Sequence, residues 1–472
     1  MARPAHVAVV GGGFSGALTA LHLLRESAPG ALRVTLVSEQ PQPGRGLAYR
    51  FDDDNLLLNV PAGNMSAWAD EPGHFLAHLQ RIDPSLSAGA FVSRRLFGEY
   101  LSATWVQAQA ERPEDIHMVH GEATGLARAA SGRGWQIALA SGESLQADQV
   151  VLALGHQAVR CPVPVAPELA PRVLDPWDFA AMHRLPPGQP VLVLGTGHTA
   201  VDALFCLSQG PARPVYLLSR HGRLPQRHRL SPTPPRAPGF PAYLQAVPPT
   251  VRACTRALRQ HLAACAQQGQ DWRDVLNELR PHTPQLWQSW PLAEQRRFLR
   301  HLQALWDVHR HRLAPTAAQR LDGLLAQGRA QVLAGRLLSL QSHAQGLSLA
   351  WRPRGSEGPQ QLQVCAVVNA IGPSTDLARS PRPLVHQLLQ AGLVQPDALG
   401  LGLNVGPQLQ VLGSGQQPVE GLWYVGPWLK ARFWEATAVP ELRQHAQKLA
   451  RHLLSLLSSP QHAHACAAEV TP

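Results

Sequence analysis

The sequence predicts an α/β protein built from two Rossmann-like dinucleotide-binding domains, the second interrupted by a helical insertion. Three observations carry this. The turn Gly11-Gly12-Gly13-Phe14-Ser15-Gly16 follows an apolar run, His6 to Val10. A second turn, Gly195-Thr196-Gly197-His198-Thr199-Ala200, follows another apolar run, Gln189 to Leu194. From Pro249 to about Leu325, glycine becomes sparse while Leu, Ala, Gln and Arg dominate, as in packed helices.

The first unit is complete in itself. A valine-rich run of this length suits a parallel strand buried on both faces. Gly11 allows the tight turn, Gly13 lets the backbone approach a pyrophosphate, and Gly16 lets the following helix, from Ala17, pack close to the strand. The start of that helix offers free N–H groups and the positive end of its dipole to phosphate. A second strand, Arg33 to Val37, ends at Ser38-Glu39. A carboxylate at this point, about twenty residues past the turn, accepts hydrogen bonds from ribose hydroxyls. Glu39 would repel a 2′-phosphate, so the site suits FAD or NAD.

The second unit repeats the pattern with a different ending. Its strand Val215 to Leu218 leads to Ser219-Arg220-His221-Gly222-Arg223, with arginines where the first unit has Glu39. A guanidinium pairs bidentately with a phosphate dianion. Arg220 and Arg223 therefore favour NADPH over NADH; the plainer alternative is that they solvate a loop end.

The chain has 472 residues, enough for two or three domains. The expected organisation is a first nucleotide domain over 1–157, closing on the strand before Gly155, and a proline-rich linker over 158–188. A second nucleotide domain covers 189–373, with its helical insertion at about 236–325. Residues 374–457 return to the first domain, and 458–472 form a disordered tail.

The formal net charge is +10, but the basic residues are dispersed and no lysine run or interleaved aromatics appear. Two anionic cofactors and an anionic substrate account for the charge without nucleic acid. No apolar run approaches the roughly twenty residues that span a bilayer, and the first strand starts too early to leave room for a secretory signal. The six cysteines form no C-x-x-C pair. Scattered cysteines argue for a cytoplasmic protein, against a zinc site, and against a disulfide reductase.

Three further stretches are candidates for chemistry. Gly44 to Tyr49, followed by Leu57 to Ser66, is rich in Gly, Asn and Pro and lies where loops meet a ligand at the carboxyl end of a parallel sheet. Asn59 and Asn64 are its hydrogen-bonding candidates at the flavin; an ordinary surface loop is the alternative. Trp306 to Arg312 places Arg310 or Arg312 toward the cleft between the domains, or on a solvated basic face. Trp423 to Arg443 ends a strand at Gly426 and enters a helix near Pro440, whose N-terminus would stabilise a reduced flavin if it faces the cofactor rather than merely packing.

Together these segments resemble the bacterial FAD-NAD(P)-binding protein family. The likeness rests on Gly11 to Gly16, Gly46-Leu47-Ala48-Tyr49, Leu57 to Ser66, Gly195 to Asp202, Trp306 to Arg312 and Trp434 to Arg443. It implies FAD in the first site and NAD(P)H in the second, with a layout similar to class B flavin monooxygenases and N-hydroxylases. Some members of the family oxidise the amino group of aspartate, which implies oxygen insertion. With the turns, the expected cofactor-binding residues are Gly11, Gly13, Phe14, Ser15, Gly16, Glu39, Ala48, Tyr49, Asn59, Met65, Gly155, Gly195, Gly197, His198, Thr199, Arg220, Arg223, Gly426, Trp434 and Ala438. Many flavoproteins of this layout have Gly-Asp in the last motif; here it is Gly426-Pro427.

The expected function is an FAD-dependent, NADPH-using monooxygenase. It would act on a small amine or amino-acid-like substrate with dioxygen, through a flavin C4a-hydroperoxide. The expected catalytic residues are Arg310, Arg443 and Asn64, with the two arginines orienting an anionic substrate. The alternatives are a reductase that passes electrons to another acceptor, and a non-catalytic redox sensor.

Overall fold

The first apolar run forms the strand Ala5–Val10, and helix Phe14–Glu26 follows directly from the glycine turn. The computed structural model describes residues 3–229 and 239–458. Ala5–Val10 lies between Leu32–Ser38 and Gln149–Leu152, both parallel to it. The sheet extends through Ile116–His120 on one side and Pro418–Tyr424 on the other, with the short antiparallel strand Gln410–Leu412 at its edge. Residues 418–424 thus return to the first sheet, and helix Val439–Leu457 packs against Phe14–Glu26.

The second sheet is built around Val191–Leu194, flanked in parallel by Val215–Ser219 and Ala366–Asn369. Val191 and Val193 join the core on one face, while Leu192 and Leu194 join the core on the other. A strand buried on both faces needs this continuous apolar run. The long strand Ala330–His343 continues past the sheet into an antiparallel ribbon with Gly346–Pro353 and Gln360–Val364. Sequence alone suggests one strand from Gln361 to Asn369. It breaks at Cys365, where the chain leaves the ribbon and re-enters the sheet as Ala366–Asn369.

The two units are built alike down to single atoms. Gly11 N–H donates to Val37 O at 2.8 Å, and Gly195 N–H donates to Leu218 O at 2.8 Å. Gly11 and Gly195 have φ of 115° and 109°. A Cβ on Gly11 would lie 2.2 Å from Ala153 O, and one on Gly195 2.3 Å from Ala370 O. In each unit a neighbouring strand thus ends beside the turn, and only glycine admits it.

Two regions differ from the reading by sequence. Within 158–188, Val173–Leu174 pairs with Val367 and Val368, so this stretch supplies an edge strand of the second sheet as well as a connection. Residues 123–147 form a small antiparallel sheet, Ala123–Arg128, Trp135–Leu139 and Ser144–Ala147. The Gln387 side chain ties it to helix Pro383–Gln390 through both the N–H and the carbonyl of Leu126.

The insertion comprises Ala242–Gln245, Val251–Gln267, Trp272–Leu279, Thr283–Ser289, Leu292–His301 and Gln303–Arg310 among the described residues. It docks on the returning segment of the first domain. Trp287 Nε1 donates to Ala431 O at 2.9 Å, and Arg280 grips Glu441 with two bonds of 2.5 and 2.7 Å. Most of the proline-rich loop at 231–241 and, beyond Ser458, the expected tail lie outside the described residues.

Candidate dinucleotide sites and the groove between the units

Both helices that follow the glycine turns begin without a side-chain cap and without an acidic residue in the first turn. Their leading N–H groups are left for a ligand, with the positive dipole end behind them. The glycines divide into two kinds. A Cβ on Gly16 would lie 1.9 Å from Gly11 O, so Gly16 is a packing residue. A Cβ on Gly13 would meet only Gly46 Cα at 3.6 Å, and one on Gly197 would meet nothing within 4 Å. Gly13 and Gly197 therefore keep open the space above a helix N-terminus. A pyrophosphate fits both positions on this evidence.

The first turn opens on a cleft of about 580 Å³. Gly11, Gly13, Phe14, Ser15, Glu39, Ala48, Tyr49 and Gly155 line it, and Thr199 reaches it from the second unit. Glu39 is exposed at the end of Leu32–Ser38. Tyr49 packs edge-on against Phe14 and Phe97, and burial raises its phenol to about 12. The cleft also takes in residues that the sequence did not single out. Arg382 donates to Leu154 O and, at 3.4 Å, to His156 O, which fixes the strand end beside the turn. Arg45 is held by Ser102 Oγ at 3.1 Å. No local pattern marks Arg382, because its role depends on a strand more than two hundred residues earlier.

Several expected residues stand elsewhere. Met65 is buried in the first core, and Asn64 ends the short helix Ala62–Asn64. The Asn59 carbonyl accepts from His228 Nε2 at 3.3 Å, so the loop touches the second unit. Gly426, with φ of 137°, precedes Pro427, which does line the cleft. Ala438 is the N-cap of Val439–Leu457, and its neighbours Thr437 and Val439 line the cleft. Trp434 turns away from it. It is 5 % exposed and packs on Trp287 at 4.7 Å and Phe298 at 5.1 Å, because the aromatic insertion gives a large ring more to bury against than the cleft does.

Arg310 and Arg443 both make contacts within the protein. Arg310 lies 3.1 Å from Glu435 and 3.9 Å from Glu441. Arg443 donates to Ser66 O at 2.8 Å. Burial lowers both guanidinium pKa values, and Glu441 opposes the shift in each. A buried guanidinium needs a partner within the protein; the return segment supplies it for Arg310, and the loop carrying Ser66 supplies it for Arg443.

The second unit carries a positive corner. Arg220 is exposed and Arg223 half-buried at the end of Val215–Ser219. Thr196 Oγ1 donates to the Arg223 carbonyl at 2.6 Å, which fixes this loop against the glycine turn. Arg354, from the antiparallel ribbon, donates to His221 Nδ1. His221 is lowered by burial first, then by Arg354, Arg223 and Arg220, and no carboxylate contributes. Arg354 is the residue sequence reading missed here. At the helix itself, His198 Nε2 is within hydrogen-bond distance of Arg312 O, 3.1 Å away.

Fold and site together define a two-dinucleotide α/β protein, with Glu39 at the strand end of the first unit and Arg220 and Arg223 at that of the second. Residues 8–157 match the FAD-NAD(P)-binding family model, so the chain carries an FAD-NAD(P)-binding domain. No curated protein matches the sequence significantly. Solved structures match over nearly the full length at low identity. L-lysine 6-monooxygenase from Pseudomonas syringae is 18 % identical, with a TM-score of 0.66, covering 97 % of this chain and 100 % of that one. The FAD-bound cadaverine monooxygenase of desferrioxamine biosynthesis from Erwinia amylovora is 13 % identical, with a TM-score of 0.67 and coverage of 95 % and 94 %. Ornithine N-hydroxylase from Kutzneria sp. 744 is 14 % identical, with a TM-score of 0.63 and coverage of 96 % and 100 %. At these identities the likeness establishes the fold. Among the described residues there is no group of metal-ligating side chains and no helix long and apolar enough to cross a membrane.

Proposed function

We propose that the protein is an FAD-dependent, NADPH-using oxidoreductase, and specifically a monooxygenase acting on a small amine or amino-acid-like substrate. The observation that carries this is the contrast between two otherwise matching turns. The first, which opens on the large cleft, has Glu39 at its ribose corner; the second has Arg220, Arg223 and Arg354. FAD carries no 2′-phosphate and suits the acid; NADPH carries one and suits the arginines.

The full-length likeness supports the same reading. The lysine, cadaverine and ornithine enzymes are named for amine substrates, and the ornithine enzyme was solved with reduced FAD, NADP+ and L-ornithine. Bound FAD supplies the redox chemistry: it accepts a hydride from NADPH and delivers electrons to dioxygen. This chain's residues bind and align. The open backbone at Gly13 and Gly197 seats the two pyrophosphates, and the contacts of Asn59 with His228 and of Arg94 with Asp202 hold the two units in register. Pro427, Thr437 and Val439 form one wall of the cleft.

Rapid-mixing of the FAD-loaded protein with NADPH under anaerobic conditions tests the first half. The flavin should bleach faster with NADPH than with NADH. Oxygen-coupled turnover against amines and amino acids tests the second half. A hydroxylated product formed in proportion to NADPH supports a monooxygenase, and hydrogen peroxide with every candidate would count against one.

A further inference from the structure

The helical insertion lines most of a second, open-sided cavity of about 330 Å³, separate from the nucleotide cleft. Its walls are aromatic: Trp272, Trp287, Trp290, Trp306, Phe298 and Trp434. Leucines from Val251–Gln267, Trp272–Leu279 and Thr283–Ser289 fill the gaps between the rings. Among the described residues no carboxylate lines it. An ammonium group would find no carboxylate inside, and two of the rings that could attract a cation already have one over them, Arg273 at 4.5 Å from Trp272 and Lys430 at 4.3 Å from Trp434.

The charge it does present is positive. Arg259 lines the cavity from helix Val251–Gln267, exposed to solvent, and among the described residues its guanidinium has no ion-pair or hydrogen-bond partner. His309 also lines the cavity, and its Nδ1 donates to Leu305 O at 2.8 Å. Burial of apolar surface would hold the body of a ligand, and an arginine at the edge would read an anionic head.

The cavity and the nucleotide cleft share one segment of wall. The segment Pro427 to Val439 forms part of both walls: Trp434 faces the aromatic cavity, while Pro427, Thr437 and Val439 face the nucleotide cleft. Glu435 ties this segment to the insertion, accepting from Trp306 Nε1 at 3.2 Å and pairing with Arg310.

We propose that this cavity is the binding site for an apolar molecule bearing a single carboxylate, with its hydrocarbon or aromatic body among the tryptophans and its carboxylate at Arg259. This molecule is distinct from the amine substrate of the proposed function, and its binding does not depend on that reading. The cavity's size is at the lower end of ligand sites, which run from roughly 300 to 1,000 Å³, so the occupant is a small acid rather than a long-chain lipid.

The tryptophans report occupancy. Octanoate, which does not absorb where tryptophan is excited, is titrated into the FAD-loaded protein while tryptophan emission is followed, with octylamine and L-ornithine as comparison ligands. Octanoate should give a saturable change, and the two amines should bind more weakly. Arg259→Ala should weaken octanoate about threefold, as expected for an exposed ion pair. Leu258→Trp and Leu262→Trp, two independent ways of filling the cavity, should abolish the signal in variants that still retain FAD. The proposal is overturned if octanoate gives no saturable change, if octylamine binds as tightly, or if filling the cavity leaves the titration as it was. Anaerobic reduction of the same samples by NADPH, measured without octanoate, reports on the oxidoreductase function separately.

Discussion

Arg94 Nη2 lies 2.8 Å from Asp202 Oδ2, and this pair fastens helix Arg94–Glu111 of the first unit to helix His198–Leu207 of the second. Both side chains are nearly buried, at 12 % and 9 % exposure. Arg94 also donates to Leu57 O at 3.2 Å, so the loop after the first βαβ unit is fixed by the same side chain. The relative position of the two nucleotide sites depends on this junction.

Breaking the pair from one side strands a charge. Arg94→Leu should cost about 3–5 kcal/mol of stability at neutral pH. Burial raises the Asp202 carboxyl and Arg94 opposes that shift, so losing Arg94 raises it further. A group whose folded pKa is raised contributes stability at low pH and loses it as pH rises through the folded value. The deficit of Arg94→Leu should therefore be small below about pH 4, where the carboxyl is protonated in both states, and grow as pH rises. Denaturant titrations across that range check this; a deficit that does not vary with pH would refute it.

Gly13 and Gly11 should behave differently when replaced. Gly11→Ala places a Cβ against Ala153 O and at a positive φ, so the protein itself should be destabilised. Gly13→Ala meets only an ordinary contact with Gly46 at 3.6 Å, so folding should be retained while FAD binding weakens. Circular dichroism and flavin absorbance, measured on both variants, separate the two effects. Normal FAD content in a folded Gly13→Ala protein would mean that the pyrophosphate does not lie there.

The same logic applies to the nicotinamide nucleotide. Gly197→Ala should leave FAD content unchanged and raise KM for NADPH and NADH alike. Arg220→Ala and Arg354→Ala should raise KM for NADPH alone, by about tenfold each, the scale of one charge-assisted hydrogen bond. Steady-state reduction with both nucleotides measures this. Equal losses for NADH would remove the arginines from 2′-phosphate recognition.

His22 predicts how stability responds to acid. It is fully buried, its ring lies edge-on to Trp68 at 4.9 Å, and neither ring nitrogen has a hydrogen-bond partner among the described residues. Burial, and then Arg25, lower its pKa to about 4. The fold therefore prefers the neutral ring, while the unfolded chain takes up a proton near pH 6.5. Stability should fall as pH drops from 6.5 toward 4, by up to about 1.4 kcal/mol per unit, and then level off. Between pH 7 and 5 the wild type should lose about 2 kcal/mol more than His22→Leu.

Much of the first unit is legible in the linear chain. The strand, the glycine turn, the helix and Glu39 are consecutive, and each is dictated by local chemistry: buried apolar runs, positive φ, a close backbone approach. The second unit is legible for the same reason as far as Arg223. Arg354 is not, because a ribbon extending from the sheet brings it to His221 across 133 residues.

What the sequence by itself determined is the pair of nucleotide units, because their signals lie within short stretches and rest on backbone sterics that hold in any context. What only the tertiary structure decided is the fate of the charged and aromatic residues. Arg310 reads as a substrate-binding cation until Glu435 is seen beside it, and Trp434 reads as a cofactor neighbour until the insertion closes over it. The physical reason is that an arginine's role is set by what neutralises it and a tryptophan's by what buries it. Those partners come together only when distant segments pack, as Arg280 and Glu441 do across 161 residues.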